Sequence, residues 1–170
     1  MGDIGDFWRD VNAHRKEERA NASQSRCWDW MIVSGDCHYA RDRSCFKVYR
    51  PVSGTAGGAR VVGIGTVELP VKSSPTGSGT HVLVLENVLH IPDAICNGFN
   101  AASTGGGVRW SRDGVQGFDS DSQPLWYAVM FAGLAKLVIE GNSQGYSVLE
   151  EKHLMLSIYL TTEEKANLFS

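Results

Sequence analysis

From Cys27 onward, short β-type runs are broken by turn signals about every 8 to 12 residues. That rhythm constrains the fold more than any other feature and points to a small barrel or sandwich. Residues 28–33 form an apolar strand that stops at Ser34-Gly35. Residues 46–49 read as a second short strand, stopped by Pro51, and residues 54–58 as a flexible loop. Residues 60–71 are strand again, with glycines that suggest a bulge or a close backbone approach. Residues 72–79 form a Ser/Pro/Gly hairpin loop. Over residues 80–89, Val82, Val84 and Glu86 fall on one side, and His81, Leu83 and Leu85 on the other.

The rest of the chain continues in the same style. Residues 94–102 are apolar and then small, and Gly105 to Gly107 is a break. Asp113-Gly114 marks a tight turn and residues 119–124 a polar loop. Residues 125–131 and 134–140 read as paired strands turning at Gly133, with a single buried helix as the competing reading. Residues 154–160 alternate as a strand. Thr161 caps a short terminal helix, and Glu164 completes its capping box. Near the start, Phe7, Trp8 and Val11 at helical spacing predict a helix over residues 3–20, followed by a polar linker to residue 26.

Charge and composition narrow the function classes. The net charge is −3 and the sequence pI about 5.9, so the basic footprint of a nucleic-acid binder is missing. The start lacks the basic and apolar segments of a signal peptide. The longest nearly apolar run, residues 125–139, is interrupted by Lys136 and is too short to span a bilayer. These features predict a soluble cytoplasmic protein with no membrane or nucleic-acid partner. In that compartment Cys27, Cys37, Cys45 and Cys96 are expected to be free thiols.

Most chemistry-bearing patterns are missing. No Cys-x-x-Cys pair offers a zinc site, even with His38 and His90 counted in. The loop carrying Asp113, Asp119 and Asp121 lacks the glycine and final glutamate of a calcium loop. The glycine runs are not followed by Lys-Ser or Lys-Thr, so no phosphate loop is read. Cys37 and His38 are neighbours in sequence, which points their side chains apart. The tryptophans (Trp8, Trp28, Trp30, Trp110, Trp126) read as core or interface packing. No cofactor and no metal are expected.

An ordered set of segments carries a resemblance. The first is Trp30-Met31-Ile32-Val33-Ser34-Gly35-Asp36-Cys37-His38-Tyr39, followed by Ala40 to Phe46. Then come Gly63-Ile64-Gly65-Thr66, Asn87-Val88-Leu89-His90-Ile91-Pro92 and Cys96-Asn97-Gly98-Phe99. In order and spacing the set resembles the retropepsin-like aspartic protease of Copia-type retrotransposon polyproteins, over residues 28–102. There the first segment reads Trp-Ile-x-Asp-Ser-Gly-Ala-[Ser/Thr]-x-His. Set against it, Trp30, Ser34 and Gly35 match, Val33 stands at the catalytic aspartate, and Tyr39 stands at the histidine. The family's Cys-Asn-Leu has Gly98 in place of leucine.

The resemblance implies a homodimer in which each subunit gives one aspartate, the two carboxylates sharing a proton and activating a water. Val33 can neither hold nor transfer a proton. Asp36 lies beyond the Ser34-Gly35 turn, in the wrong local sequence. Ser34, which in the family braces the dimer's active-site loops, is expected to cap its own turn. Val33 is expected to pack where the catalytic water would be held.

The expected fold is mainly β: a small retropepsin-like β-barrel with an N-terminal helix and a short C-terminal helix. It divides into an arm and linker (1–26), the barrel core (27–104) and a C-terminal β extension (105–170). The expected function is non-catalytic, in protein binding or self-association as a homodimer. Leu154, Leu156, Ile158 and Leu160 are the candidate interface. The alternative is an active aspartic endopeptidase using Asp36 or a partner-supplied aspartate. A residual nucleic-acid role is a third reading, disfavoured by the acidic balance.

Overall fold

The computed structural model describes residues 26–131, 133–141 and 156–170. The helix expected over residues 3–20 and the interface candidate Leu154 lie outside them. Strand β1, Trp30–Val33, is buried along its whole length. It runs parallel to β6, Asn97–Asn100, with Trp30 opposite Asn97 and Val33 opposite Asn100. On its other side it meets β10, Leu134–Leu137, antiparallel at Met31 and Lys136. A strand paired on both edges and covered on both faces needs an unbroken apolar run, which this one supplies.

The other strands are β2 (Tyr39–Ala40), β3 (Phe46–Ala56), β4 (Ala59–Lys72) and β5 (Thr80–His90). Beyond β6 come β7 (Gly107–Ser111), β8 (Gly114–Phe118) and β9 (Pro124–Phe131). All ten form one mixed sheet in the order β3-β4-β5-β2-β6-β1-β10-β9-β8-β7. The fold is thus mainly β. Its one described α-helix, α1 (Thr162–Phe169), starts with the expected capping box: Thr161 Oγ1 accepts from Glu164 N–H, and Glu164 accepts from Thr161 N–H. No helix among the described residues is long and apolar enough to cross a membrane.

The two halves of the sheet share one core. Trp30, Val67, Leu69, Leu83 and Leu85 pack in a single cluster with Val115, Trp126 and Leu137. Phe99 meets Trp126 edge to face at 5.0 Å. The alternation in β5 is as the sequence predicts: Leu83 and Leu85 are buried, Val82 and Val84 exposed. It breaks at Asn87, which takes a positive φ of 54° beside a register shift. From there Val88, Leu89 and His90 are all buried.

Four expectations are corrected. β3 does not stop at Pro51 but runs to Ala56. It is an outermost strand of the sheet, where a missing N–H is tolerated, and the ladder shifts register between Pro51 and Gly54. The loop shrinks to Gly57-Gly58, whose positive φ angles of 57° and 85° close a two-residue hairpin. The strand expected over residues 154–160 reduces, within the described part, to one parallel bridge between Ile158 and Gly35. Its neighbour there is a turn, which offers no ladder to extend. Finally, the sheet is not closed into a barrel. One antiparallel bridge, Val71 to Ile139, brings the end of β4 to the chain just past β10. The strands β9, β8 and β7 run on beyond β10, leaving two free ends. The paired-strand reading of β9 and β10 holds, with Leu134 opposite Phe131.

Buried Asn97 ties this centre together. Its Oδ1 accepts from Arg41 N–H at 2.8 Å and its Nδ2 donates to the Cys27 carbonyl at 2.9 Å. Replacing Asn97 with alanine removes both partners from buried backbone groups. Urea denaturation should show a loss of ~3 kcal/mol, because orphaned buried polar groups are expensive.

Candidate functional site

β1 delivers the chain into the turn Ser34-Gly35-Asp36. Val33, the last residue of the strand, packs with Cys37, Tyr39, Ile64, Leu89 and Leu160. Gly35 takes a φ of 113°, a region that disfavours side chains, and a Cβ there would strike the Ile158 carbonyl. The Gly35 carbonyl accepts from Asn100 Nδ2 at 2.8 Å, so β6 braces the turn.

The C-terminal segment braces it from the other side. Ser34 N–H donates to Ser157 Oγ at 3.0 Å. The Ser34 hydroxyl lies 2.9 Å from Ser157 Oγ and 3.3 Å from the Tyr159 hydroxyl. Ser34 therefore reaches across the chain rather than capping its own turn. Asp36 N–H donates to the Ile158 carbonyl at 3.0 Å. Asp36 Oδ2 accepts from Leu160 N–H at 3.0 Å and lies 3.6 Å from Lys165 Nζ. Of the interface candidates, Leu160 is buried in the Val33 cluster, and Leu156 and Ile158 are half-buried against it. The Leu156 carbonyl accepts from the Tyr39 hydroxyl at 2.7 Å.

A cleft of about 610 Å³ opens beside the turn, lined by Asp36, Cys37, His38, Leu83, Glu86 and Ser103 among others. Val33 is not part of its wall. His38 is buried and stacks on Phe99 at 5.7 Å. Its Nε2 lies 2.7 Å from Ser103 Oγ, a distance at which a serine and a histidine can form a nucleophilic pair. The polarity is wrong for that. Asn100 N–H donates to His38 Nδ1 at 2.9 Å, so the ring proton of the neutral imidazole sits on Nε2. Nε2–H then donates to Ser103, whose own hydroxyl donates to the Asn100 carbonyl at 2.9 Å. His38 has no lone pair to offer Ser103 and no nitrogen left for Cys37.

Burial pushes the His38 imidazole down to about 4 and the Cys37 thiol up to about 12. Burial also pushes Cys27 up to about 11 and Cys96 up to about 12; the two lie with Met31 in a small apolar cluster. Burial raises the Cys45 thiol as well, so all four cysteines are buried free thiols that stay protonated at neutral pH. Among the described residues, no group of three or more His, Cys, Asp or Glu side chains could hold a metal ion.

Tyr39 and Gly98 fit one another. Tyr39 lies opposite Gly98, and any Cβ on Gly98 would collide with the Tyr39 ring. The polar residues that organise the site, Asn100, Ser103 and Ser157, carry no recognisable spacing in the sequence. Comparison of the chain with protein-family models, with curated proteins and with solved structures returns no match.

Two outcomes follow from this geometry. Unfolded, His38 titrates near its ordinary value of 6.5; folded, near about 4. Between those values the unfolded chain binds the extra proton. Stability from this group is therefore whole above pH 6.5 and falls as pH drops toward 4. Urea midpoints across that range should fall more steeply for wild type than for His38→Gln, by ~3 kcal/mol in total. Second, Asp36→Ala removes the acceptor of Leu160 N–H. It should lower stability by about 1–2 kcal/mol and speed deuterium exchange at the Leu160 amide; unchanged exchange would contradict the tether.

Proposed function

We propose that this chain is a non-catalytic, retropepsin-like β domain, derived from a retrotransposon polyprotein, that works by binding protein or by self-association. One observation carries the reading. The position where Copia-type chemistry needs a carboxylate holds Val33, inside an apolar cluster. The next carboxylate along, Asp36, is committed to Leu160 N–H and Lys165.

The placement of the resembling segments supports the retropepsin-like part. The strand leading to Ser34-Gly35 lies parallel to the strand bearing the Cys96-Asn97 segment. The Gly63-Ile64-Gly65-Thr66 strand pairs with the strand that carries Asn87-Val88-Leu89-His90.

The alternative, an endopeptidase using Asp36 or a partner-supplied aspartate, draws on the place of Asp36 in the cleft wall. A dyad needs two carboxylates close enough to share a proton. The experiment is incubation with a mixed peptide library between pH 4 and pH 7, read by mass spectrometry. No cleavage is expected at any pH. Cleavage that disappears in Asp36→Asn would overturn the non-catalytic reading. Light scattering on the same sample reports whether self-association or a separate partner carries the binding.

A further inference from the structure

The sheet ends on β7, and the way it ends is unusual. Directly opposed residues of an antiparallel sheet share a face. The register runs Trp110–Val115–Ala128–Leu137 across β7, β8, β9 and β10. Val115, Ala128 and Leu137 are each 3% exposed or less, whereas Trp110 is 65% exposed. The neighbouring row runs Val108–Gly117–Trp126. Trp126 is buried and lies over Gly117, while Val108 is 38% exposed. Two rows of core-facing residues thus continue to the sheet's last strand and there meet solvent.

The two ends of the sheet differ. β3 carries Pro51 and two register shifts, and α1 packs on it, with Leu168 against Gly54. These are the devices that discourage strand addition. Among the described residues β7 has none of these: it lacks proline, pairs with β8 without a register shift, and no helix packs on it. Alternate residues along its outer edge present N–H and C=O groups to solvent. On the opposite face, Arg109 sits 5.3 Å over the Phe118 ring. Among the described residues no carboxylate pairs with it.

We propose that the β7 edge is a docking site for an extended peptide strand of a partner protein. That strand would place apolar residues beside Val108 and Trp110 and a carboxylate beside Arg109. This deepens the protein-binding reading above and rests on it. The pleat sets the requirement: apolar and acidic residues must alternate, because Val108 and Trp110 share one face and Arg109 the other. A second copy of this chain fits less well. Full antiparallel overlap of the five β7 residues would centre on Arg109 and set two guanidinium groups directly opposite each other.

The test is a ¹⁵N chemical-shift titration of the intact chain with the capped peptide Thr-Val-Glu-Val-Thr and its lysine counterpart, Thr-Val-Lys-Val-Thr. The glutamate peptide should shift the β7 amides and the Trp110 indole, and the lysine peptide should bind about fivefold more weakly. Arg109→Glu should reverse the preference, and Trp110→Lys should abolish binding of both peptides. Both side chains are exposed, and the comparison between peptides on wild type needs no variant at all. Equal affinity for the two peptides, or binding that survives Trp110→Lys, would overturn the site. A dimer that Trp110→Lys dissociates would also overturn it, by making a second copy the occupant. Recovery of cleaved peptide would strike the non-catalytic reading and leave the docking site standing.

Discussion

Trp30 to Val33 sit between a parallel neighbour and an antiparallel one, so neither edge of β1 is free. Both of its faces are also buried, and the pleat divides them. Trp30 and Ile32 enter the large cluster shared with Phe99 and Trp126. Met31 packs with Cys27 and Cys96, and Val33 with Tyr39, Leu89 and Leu160. One short strand therefore reaches all three apolar clusters. Its exit point is fixed by that packing, and so is the turn that follows. The turn's position is a consequence of burial on both faces, not of the turn's own sequence.

What surrounds Val33 suits a hydrocarbon. A carboxylate at that position would face Cys37, Tyr39 and Leu89 in a dry cluster, and burying an unpaired charge costs several kcal/mol or more. The polar groups of the turn are satisfied from within the chain, by Asn100 on β6 and by Ser157 and Ile158 near the C-terminus. Val33 and the C-terminal clamp are in this sense one arrangement. The clamp brings Leu160 onto Val33, and Val33 gives Leu160 an apolar surface to cover.

Much of the fold was legible because its signals are local. The alternation in β5, the loop between β4 and β5, the β9–β10 hairpin at Gly133 and the capping box on α1 each depend on residues within a few positions of one another. The misread stretches depend on distant partners. Pro51 reads as a stop until β3 is seen to be an edge strand, where proline is tolerated. Ser34 reads as a self-capping turn residue, yet its hydroxyl meets Ser157, 123 residues away. The Ser103–His38 contact spans 65 residues, and its direction depends on a backbone N–H that no side-chain pattern records. Closure was overestimated for a related reason. Short strands with frequent turns suit an open ten-stranded sheet as well as a barrel, and local pattern does not say where β7 ends up.

The same contacts bear on where binding can occur. Leu156, Ile158 and Leu160 alternate as an interface strand should, but their apolar surface already faces the Val33 cluster. A partner using them would have to displace Ser157 from Ser34 and Leu160 N–H from Asp36, giving up as much contact as it gained. Surface that is still exposed carries no such debt. Trp110 and Val108 extend the buried rows of the sheet and are exposed, so a strand laid beside them adds burial without displacing any described contact. Val33 at the end of β1 and the open edge at β7 lie at different places in the sheet, and the second does not depend on the first.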